Sequence, residues 1–191
     1  MRPQLQEIVA AAIEVGLPVV LKANVPGLVH RTERGAVAVN LADVEAIWRA
    51  VPALLALEPT RVEVQPYVVG GDEWLVGAVR DGAGPPLVTV GAGGVFTEVW
   101  TDVARRLAPL APRDLRALTS EPRFAATLDG WRGAPARDRA ALERFAELLS
   151  RLALAHPEVA DIECNLVLVL PRGRGVVAVD VRARLAPLPP S

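Results

Sequence analysis

Lysine occurs once in this sequence, at position 22, although lysine and arginine together number 21. A chain that meets almost all its demand for positive charge with arginine, yet keeps one lysine, points to a place where a compact ammonium is wanted. Phosphate is the first ligand to consider. The segment after Lys22 brings His30, Arg31, Thr32, Arg34 and Gly35, which offer imidazole, guanidinium, hydroxyl and backbone N–H groups to phosphoryl oxygens. A second group lies near the other end. Asp161, Glu163 and Asn165 alternate along an apolar run, so they share one face of a strand, and Asp180 sits near the end of the next strand. Oxygen donors on paired strands suit Mg²⁺, which takes carboxylate, amide and phosphate oxygens. Between the two groups stands Gly91-Ala-Gly-Gly94, followed by Glu98 and Asp102. Such a glycine cluster lets backbone approach a ligand closely.

These groups need elements to hold them. Residues 3–15 carry Leu5, Ile8, Val9, Ala12 and Ile13 on one helical face. Residues 18–21 read as a short buried strand ending at Lys22, and residues 35–39 as the strand that returns. Val44, Ile47, Trp48, Val51, Leu54 and Leu55 predict a second helix over 43–57, which Pro52 should kink or end early. Strands are predicted at 61–69, 73–80 and 86–90, with Gly70-Gly71 and Asp81-Gly82 as turns. Short helices follow at 112–118 and 122–128, then a longer one at 138–155. The last unit reads as a hairpin of 160–170 and 176–181 around an arginine- and glycine-rich turn.

Composition narrows the function. At 51% hydrophobic and 23% charged, the chain can bury a good core in one domain or two small lobes. A net charge of -1 lacks the basic footprint of a nucleic-acid binder. No apolar run has the length of a membrane span and the start does not read as a signal peptide, so a cytoplasmic protein is expected. The single cysteine, Cys164, excludes an internal disulfide and reads as a small buried apolar residue. His156, before Pro157, reads as a helix-end or surface residue.

Five ordered segments carry a resemblance: PVVLKANVPGLVHRTERGAV, VEVQPYVVGGDEWLVGAVRD, VTVGAGGVFTEVWTDVARRLAPL, GWRGAP, and IECNLVLV with VVAVDVRARL. Over nearly its whole length the chain resembles the ATP-grasp domain of NDP-forming acyl-CoA synthetases, relatives of the succinyl-CoA synthetase β subunit. The resemblance implies an α+β ATP-grasp fold of two lobes with a nucleotide cleft between them, the first over 1–69, the second over 70–186, and a tail at 187–191. It implies that Lys22 holds ATP or ADP phosphates with Arg31 and Gly35 nearby, and that the backbone of Gln65, Pro66, Tyr67 and Val68 meets adenine. It assigns Mg²⁺ to Asn165 and Asp180, phosphoryl carrying to His30, the surface facing a phosphohistidine to Glu98 and Arg106, and a place after the hinge to Glu73. The implied partner is a CoA-ligase domain or α subunit bearing that phosphohistidine. The chain departs from the family pattern at Pro66, where glutamate is usual, at Ala36, which replaces a loop glycine, and at Leu166, where proline is common. Pro66 and Ala36 keep a second reading open: a nucleotide- or acyl-CoA-sensing module of the kind fused to some protein lysine acetyltransferases.

Overall fold

The structure is a computed structural model that describes residues 2–27, 34–82, 84–94 and 102–186. It divides into two compact units, Met1–Val69 and Gly70–Ser191.

In the first unit, helix α1 (Arg2–Val15) leads into strand β1 (Val19–Asn24), followed by β2 (Val37–Leu41), helix α2 (Val44–Leu55) and β3 (Arg61–Pro66). The sheet has the order β2-β1-β3, and both pairings are antiparallel. Val19, Leu21 and Ala23 alternate into the core with Leu5, Ile8 and Ala12 from α1 and Ile47, Val51 and Leu54 from α2. The alternation sends Val20, Lys22 and Asn24 to the opposite face. Lys22 therefore lies inside β1 rather than at its end, because Ala23 and Asn24 continue the pairing with β3. Helix α2 starts where the Asp43 carboxylate accepts the Ala46 N–H at 2.7 Å. It continues past Pro52 and ends at Leu55, two residues short of the expected 57. Pro52 is on the exposed side, where water can replace the missing bond, and its carbonyl accepts from Ala56 N–H at 3.0 Å.

The second unit contains β4 (Asp72–Val79), β5 (Leu87–Ala92), β6 (Val103–Leu107), α3 (Pro112–Leu118), a 3-10 helix (Arg123–Asp129), α4 (Arg139–Ala155), β7 (Val159–Val169), β8 (Val176–Ala178) and β9 (Val181–Leu185). The sheet order is β6-β5-β4-β7-β8, and β9 also pairs with β7. Helices cover one face, where Trp74, Val76, Val88, Val90, Leu142 and Val167 are fully buried. The Trp74 ring meets Phe124 at a centroid distance of 5.2 Å. The other face of the sheet carries no helix among the described residues.

Two features of the second unit differ from the sequence reading. Strand β6 was not expected, since only Ala104 of its five residues is buried and the pattern gives no alternation. The single strand expected at 176–181 is instead two, with Val179 and Asp180 between them.

Asp138 ties the helical layer to the β7–β8 turn. Its carboxylate accepts N–H bonds from Gly173 at 3.0 Å, Gly175 at 2.9 Å and Ala141 at 3.1 Å, the last as the N-cap of α4. Beside it, Arg137 pairs with Asp72 at the start of β4 at 2.8 Å. The Gly175 N–H, opposed in part by burial and joined by the Ala141 and Gly173 N–H groups, holds the Asp138 carboxyl below its ordinary pKa. Asp138→Ala should lower unfolding free energy by about 2–3 kcal/mol in urea titrations; an unchanged midpoint would contradict the clasp. Because the folded pKa is depressed, this stabilisation is complete above the unfolded carboxylate value of about 3.9 and is lost as pH falls through the lower folded value. The wild type should lose more stability than the variant across that acid window.

Candidate functional site

Each unit carries a polar sheet face. In the first, register places Lys22 opposite Glu63, Val20 opposite Gln65 and Asn24 opposite Arg61. Glu63 pairs with Arg61 at 2.7 Å and accepts from Gln65 Nε2 at 3.4 Å. The ammonium of Lys22 thus shares its face with a carboxylate, an amide and a guanidinium. Gly35 has φ of 68°, a left-handed turn that suits glycine and delivers the chain to β2. His30 and Arg31 lie outside the described residues.

Two of the family departures prove structurally mild. Ala36 is fully buried in the core, its φ is not positive, and its carbonyl accepts from Ala23 N–H at 2.7 Å. A methyl group packs there without backbone strain. Pro66 is the last residue of an edge strand, next to Tyr67, whose N–H bonds the Pro18 carbonyl at 2.9 Å. Antiparallel alternation then turns the nitrogen of Pro66 away from β1, so its missing N–H breaks no ladder bond. Tyr67 and Val68 are half-buried on the way to β4.

In the second unit the site is built on β7. Ala160, Ile162 and Cys164 face the helical core, whereas Asp161, Glu163 and Asn165 face the open side. The register with β4 shifts between Trp74, opposite Val167, and Leu75, opposite Asn165. Leu166 is therefore an extra residue, a bulge that returns Val167 and Val169 to the core while Asn165 stays on the open face. On the other edge of β7, Val167 is opposite Ala178 and Cys164 is opposite Val181. Val179 N–H bonds the Leu166 carbonyl at 3.0 Å, so the register carries Asp180 opposite Asn165. Directly opposed residues have Cβ atoms about 5 Å apart.

That pair fits a divalent cation by donor chemistry. It provides one amide oxygen and one carboxylate, and Mg²⁺ is commonly held by one or two such side chains, its other positions filled by water and phosphate oxygens. Among the described residues no group of three His, Cys, Asp or Glu side chains could hold a metal ion. Asp180 is itself 3.6 Å from Arg182. Cys164 is buried beside this pair; burial first, then the charges of Glu163 and Asp180, push its thiol up to about 11. It is chemically quiet at neutral pH.

The glycine cluster meets the same place. Gly94 N–H bonds Asn165 Oδ1 at 2.9 Å and Gly93 N–H bonds the Glu73 carbonyl at 2.9 Å, so Glu73, Gly94 and Asn165 come together. A Cβ on Gly91 would lie 2.3 Å from the Asp102 carbonyl oxygen, and one on Gly93 would lie 2.5 Å from Trp74 backbone. The close approach foreseen for a ligand is here made by the chain's own backbone. Glu98 lies outside the described residues. Arg106 is in register with buried Val88, on the helix-covered face opposite to that of Asn165, where it bonds Glu121 and the Arg105 carbonyl. Asp102 also has a role the sequence did not show: its carboxylate accepts the N–H groups of Arg123 and Phe124 at 2.8 and 2.7 Å, starting the 3-10 helix.

The model of the ATP-grasp domain family matches residues 3–185. Acetate–CoA ligase [ADP-forming] I of Archaeoglobus fulgidus is 35% identical over 173 residues, covering 87% of this chain and 25% of the relative. The β subunit of acetate–CoA ligase [ADP-forming] I of Pyrococcus furiosus is 29% identical, covering 93% of this chain and 79% of the subunit. A solved dinucleotide forming acetyl-coenzyme A synthetase 1 of Ca. Korarchaeum cryptofilum aligns with a TM-score of 0.83 and 33% identity, over 95% of this chain and 83% of that one. That protein holds coenzyme A and Mg-AMPPCP, with its phosphohistidine segment pointing towards the nucleotide binding site. The chain spans about a quarter of the length of several of the curated relatives it matches.

Gly94 has φ of 73°, and a Cβ there would lie 2.1 Å from Glu73 Oε2. Gly94→Ala should therefore cost about 1–2 kcal/mol of stability, from the left-handed backbone and the displaced Glu73 carboxylate. Thermal unfolding checks this, and an unaltered melting temperature would contradict the geometry.

Proposed function

The chain belongs to the ATP-grasp domain family, and from that premise we propose that it is the nucleotide-binding, phosphoryl-transferring component of an ADP-forming acyl-CoA synthetase. In this reading it exchanges phosphate between Mg-ATP or Mg-ADP and a phosphohistidine on a partner CoA-ligase domain or α subunit. The observation that carries the reading is the cross-strand pair of Asn165 and Asp180 beside Gly94, in a chain similar to ADP-forming acetate–CoA ligases over most of its length. Its cofactors are ATP or ADP and Mg²⁺, and Asn165 and Asp180 hold the cation. The sensing alternative rested on Pro66 and Ala36, and neither position carries a structural defect.

The residues divide the work by charge. Phosphoryl transfer needs alignment and neutralisation more than covalent assistance. Lys22 offers an ammonium to the phosphate oxygens, with Arg31 and the Gly35 turn as further donors. When bound, Mg²⁺ would add charge neutralisation at phosphate oxygens. Gln65 to Val68 present backbone to the base. His30 divides the transfer in two. The P–N bond of the partner's phosphohistidine breaks as a P–N bond to His30 forms, and that bond in turn breaks as an ADP oxygen forms the new P–O bond. At each displacement the departing imidazole nitrogen takes back its electron pair. Glu98 and Arg106 are assigned to the phosphohistidine-facing segment, and Glu73 to the support of Gly94.

Calorimetric titration of the chain with ATP and ADP, with and without Mg²⁺, tests the reading; magnesium-dependent binding is expected. Lys22→Ala should weaken that binding about tenfold or more, the loss of a charge-assisted phosphate contact. Equal affinity in variant and wild type would remove Lys22 from the phosphate site. With the phosphorylated partner added, His30→Ala should bind nucleotide normally yet incorporate no phosphate; retained incorporation would remove the carrier step.

A further inference from the structure

The open face of the second unit holds a groove of about 580 Å³, lined among others by Leu75, Gly77, Thr89, Arg105, Glu163 and Asn165. Register aligns four of these in one row: Arg105 opposite Thr89, Thr89 opposite Gly77, and Gly77 opposite Glu163. The next row carries Gly91, Leu75 and Asn165. Gly77 leaves the floor of the groove without a side chain between Thr89 and Glu163. One wall is cationic, from Arg105, and the other anionic, from Glu163. The remaining charges on that second side are paired, Asp161 with Arg184 at 2.6 Å and Asp180 with Arg182 at 3.6 Å.

Arg105 and Arg106 are neighbours in sequence and opposites in space. Arg106 is engaged by Glu121 on the helical side. Arg105 is exposed, and its guanidinium has no hydrogen bond or ion pair among the described residues; the same holds for the Thr89 hydroxyl. Three strand spacings and two residues along the strand separate Arg105 from Asn165, a span of about 16 Å between backbones. An extended guanidinium on one side, and an amide-bound cation with its phosphate on the other, can meet across that distance.

We propose that Arg105, with the Thr89 hydroxyl beside it, binds the terminal phosphoryl group of the nucleoside triphosphate, the group in transit. The planar guanidinium fork matches two phosphoryl oxygens at once. It approaches from the side of the groove opposite the metal pair, so the group is flanked by positive charge on both sides while its bonds change. The inference rests on the nucleotide-binding reading above and adds to it a discrimination between triphosphate and diphosphate.

The test is calorimetric titration of the full chain and of Arg105→Ala and Arg105→Lys with Mg-ATP and with Mg-ADP. Arg105→Ala should lose about tenfold in Mg-ATP affinity with Mg-ADP affinity nearly unchanged, and Arg105→Lys should recover part of the loss. Unchanged affinity for both nucleotides overturns the proposal, and so does an equal loss for both, which would place Arg105 elsewhere on the ligand. Wild-type chain that binds neither nucleotide overturns the nucleotide-binding reading itself, and the Arg105 assignment with it. Arg105 is exposed on an edge strand, so its variants should fold, and an unchanged melting temperature confirms this independently.

Discussion

The one-residue bulge at Leu166 is the constraint on which the second unit depends. A strand has a period of two, so every side chain of β7 is committed to a face by its neighbours. Without the bulge, the alternation that buries Ala160, Ile162 and Cys164 would bring Leu166 and Leu168 to the core and expose Val167 and Val169. The extra residue reverses that assignment halfway along the strand. Both halves of β7 then feed apolar side chains to the same helical layer, and the polar trio at its start remains on the open side. Asn165 is the last residue before the reversal. It gains a position where its amide oxygen meets Gly94 on one flank and register brings Asp180 on the other.

The bulge would be of little use if the strands around it could slip. Three attachments prevent that. Asp138 gathers the N–H groups of Gly173 and Gly175, which fixes the turn from β7 to β8 and hence the register that sets Asp180. Arg137, its neighbour, holds the start of β4 through Asp72, and both side chains are largely shielded from water, at 13% and 15% exposure. Such a pair depends on geometry for its value, and here the guanidinium is aimed by both Nε and a terminal nitrogen at one carboxylate oxygen. At the far end of β4, Arg80 reaches the Ala153 carbonyl near the end of α4 at 2.6 Å. Helix α4 is thus fastened to the sheet at both ends, and the polar face is held by bonds made on the other side of the sheet.

Much of this was legible in the sequence because most elements are amphipathic. Most of the buried faces of α1, α2 and α4 are written in their apolar spacing, although Ile13 and Trp48, counted on those faces, are exposed, and β7 announced its polar face through Asp161, Glu163 and Asn165. What escaped was carried by long-range pairing. Strand β6 buries only Ala104 and follows a glycine-rich segment, so nothing local marks it as a strand; its existence depends on the edge that β5 presents. Missing it concealed the fact that Arg105 and Arg106 point to opposite faces, and the resemblance drew attention to Arg106 alone. The split of the last strand was hidden for a similar reason, since only β7 determines where β8 ends and β9 begins. The place of Pro52 inside α2 was not legible either: what it costs depends on which side of the helix it occupies, and periodicity alone does not say what water can reach.

In the proposed reading, the open face also gives a reason for an amide rather than a carboxylate at position 165. Glu73 lies against Gly94, Glu163 is two residues away on the same face, and Asp180 is across the strand pair. A further carboxylate among these would add like-charge repulsion at the expense of the fold. Arg182 and Arg184 offset Asp180 and Asp161, and their register opposite Glu163 and Asp161 fits that task. Asn165 supplies an oxygen that accepts the Gly94 N–H and contributes no charge. The negative charge in the pair is then Asp180's alone, so the attraction for a divalent ion is left to be completed by a ligand that brings charge of its own. In the proposed reading, the phosphates of the nucleotide bring that negative charge.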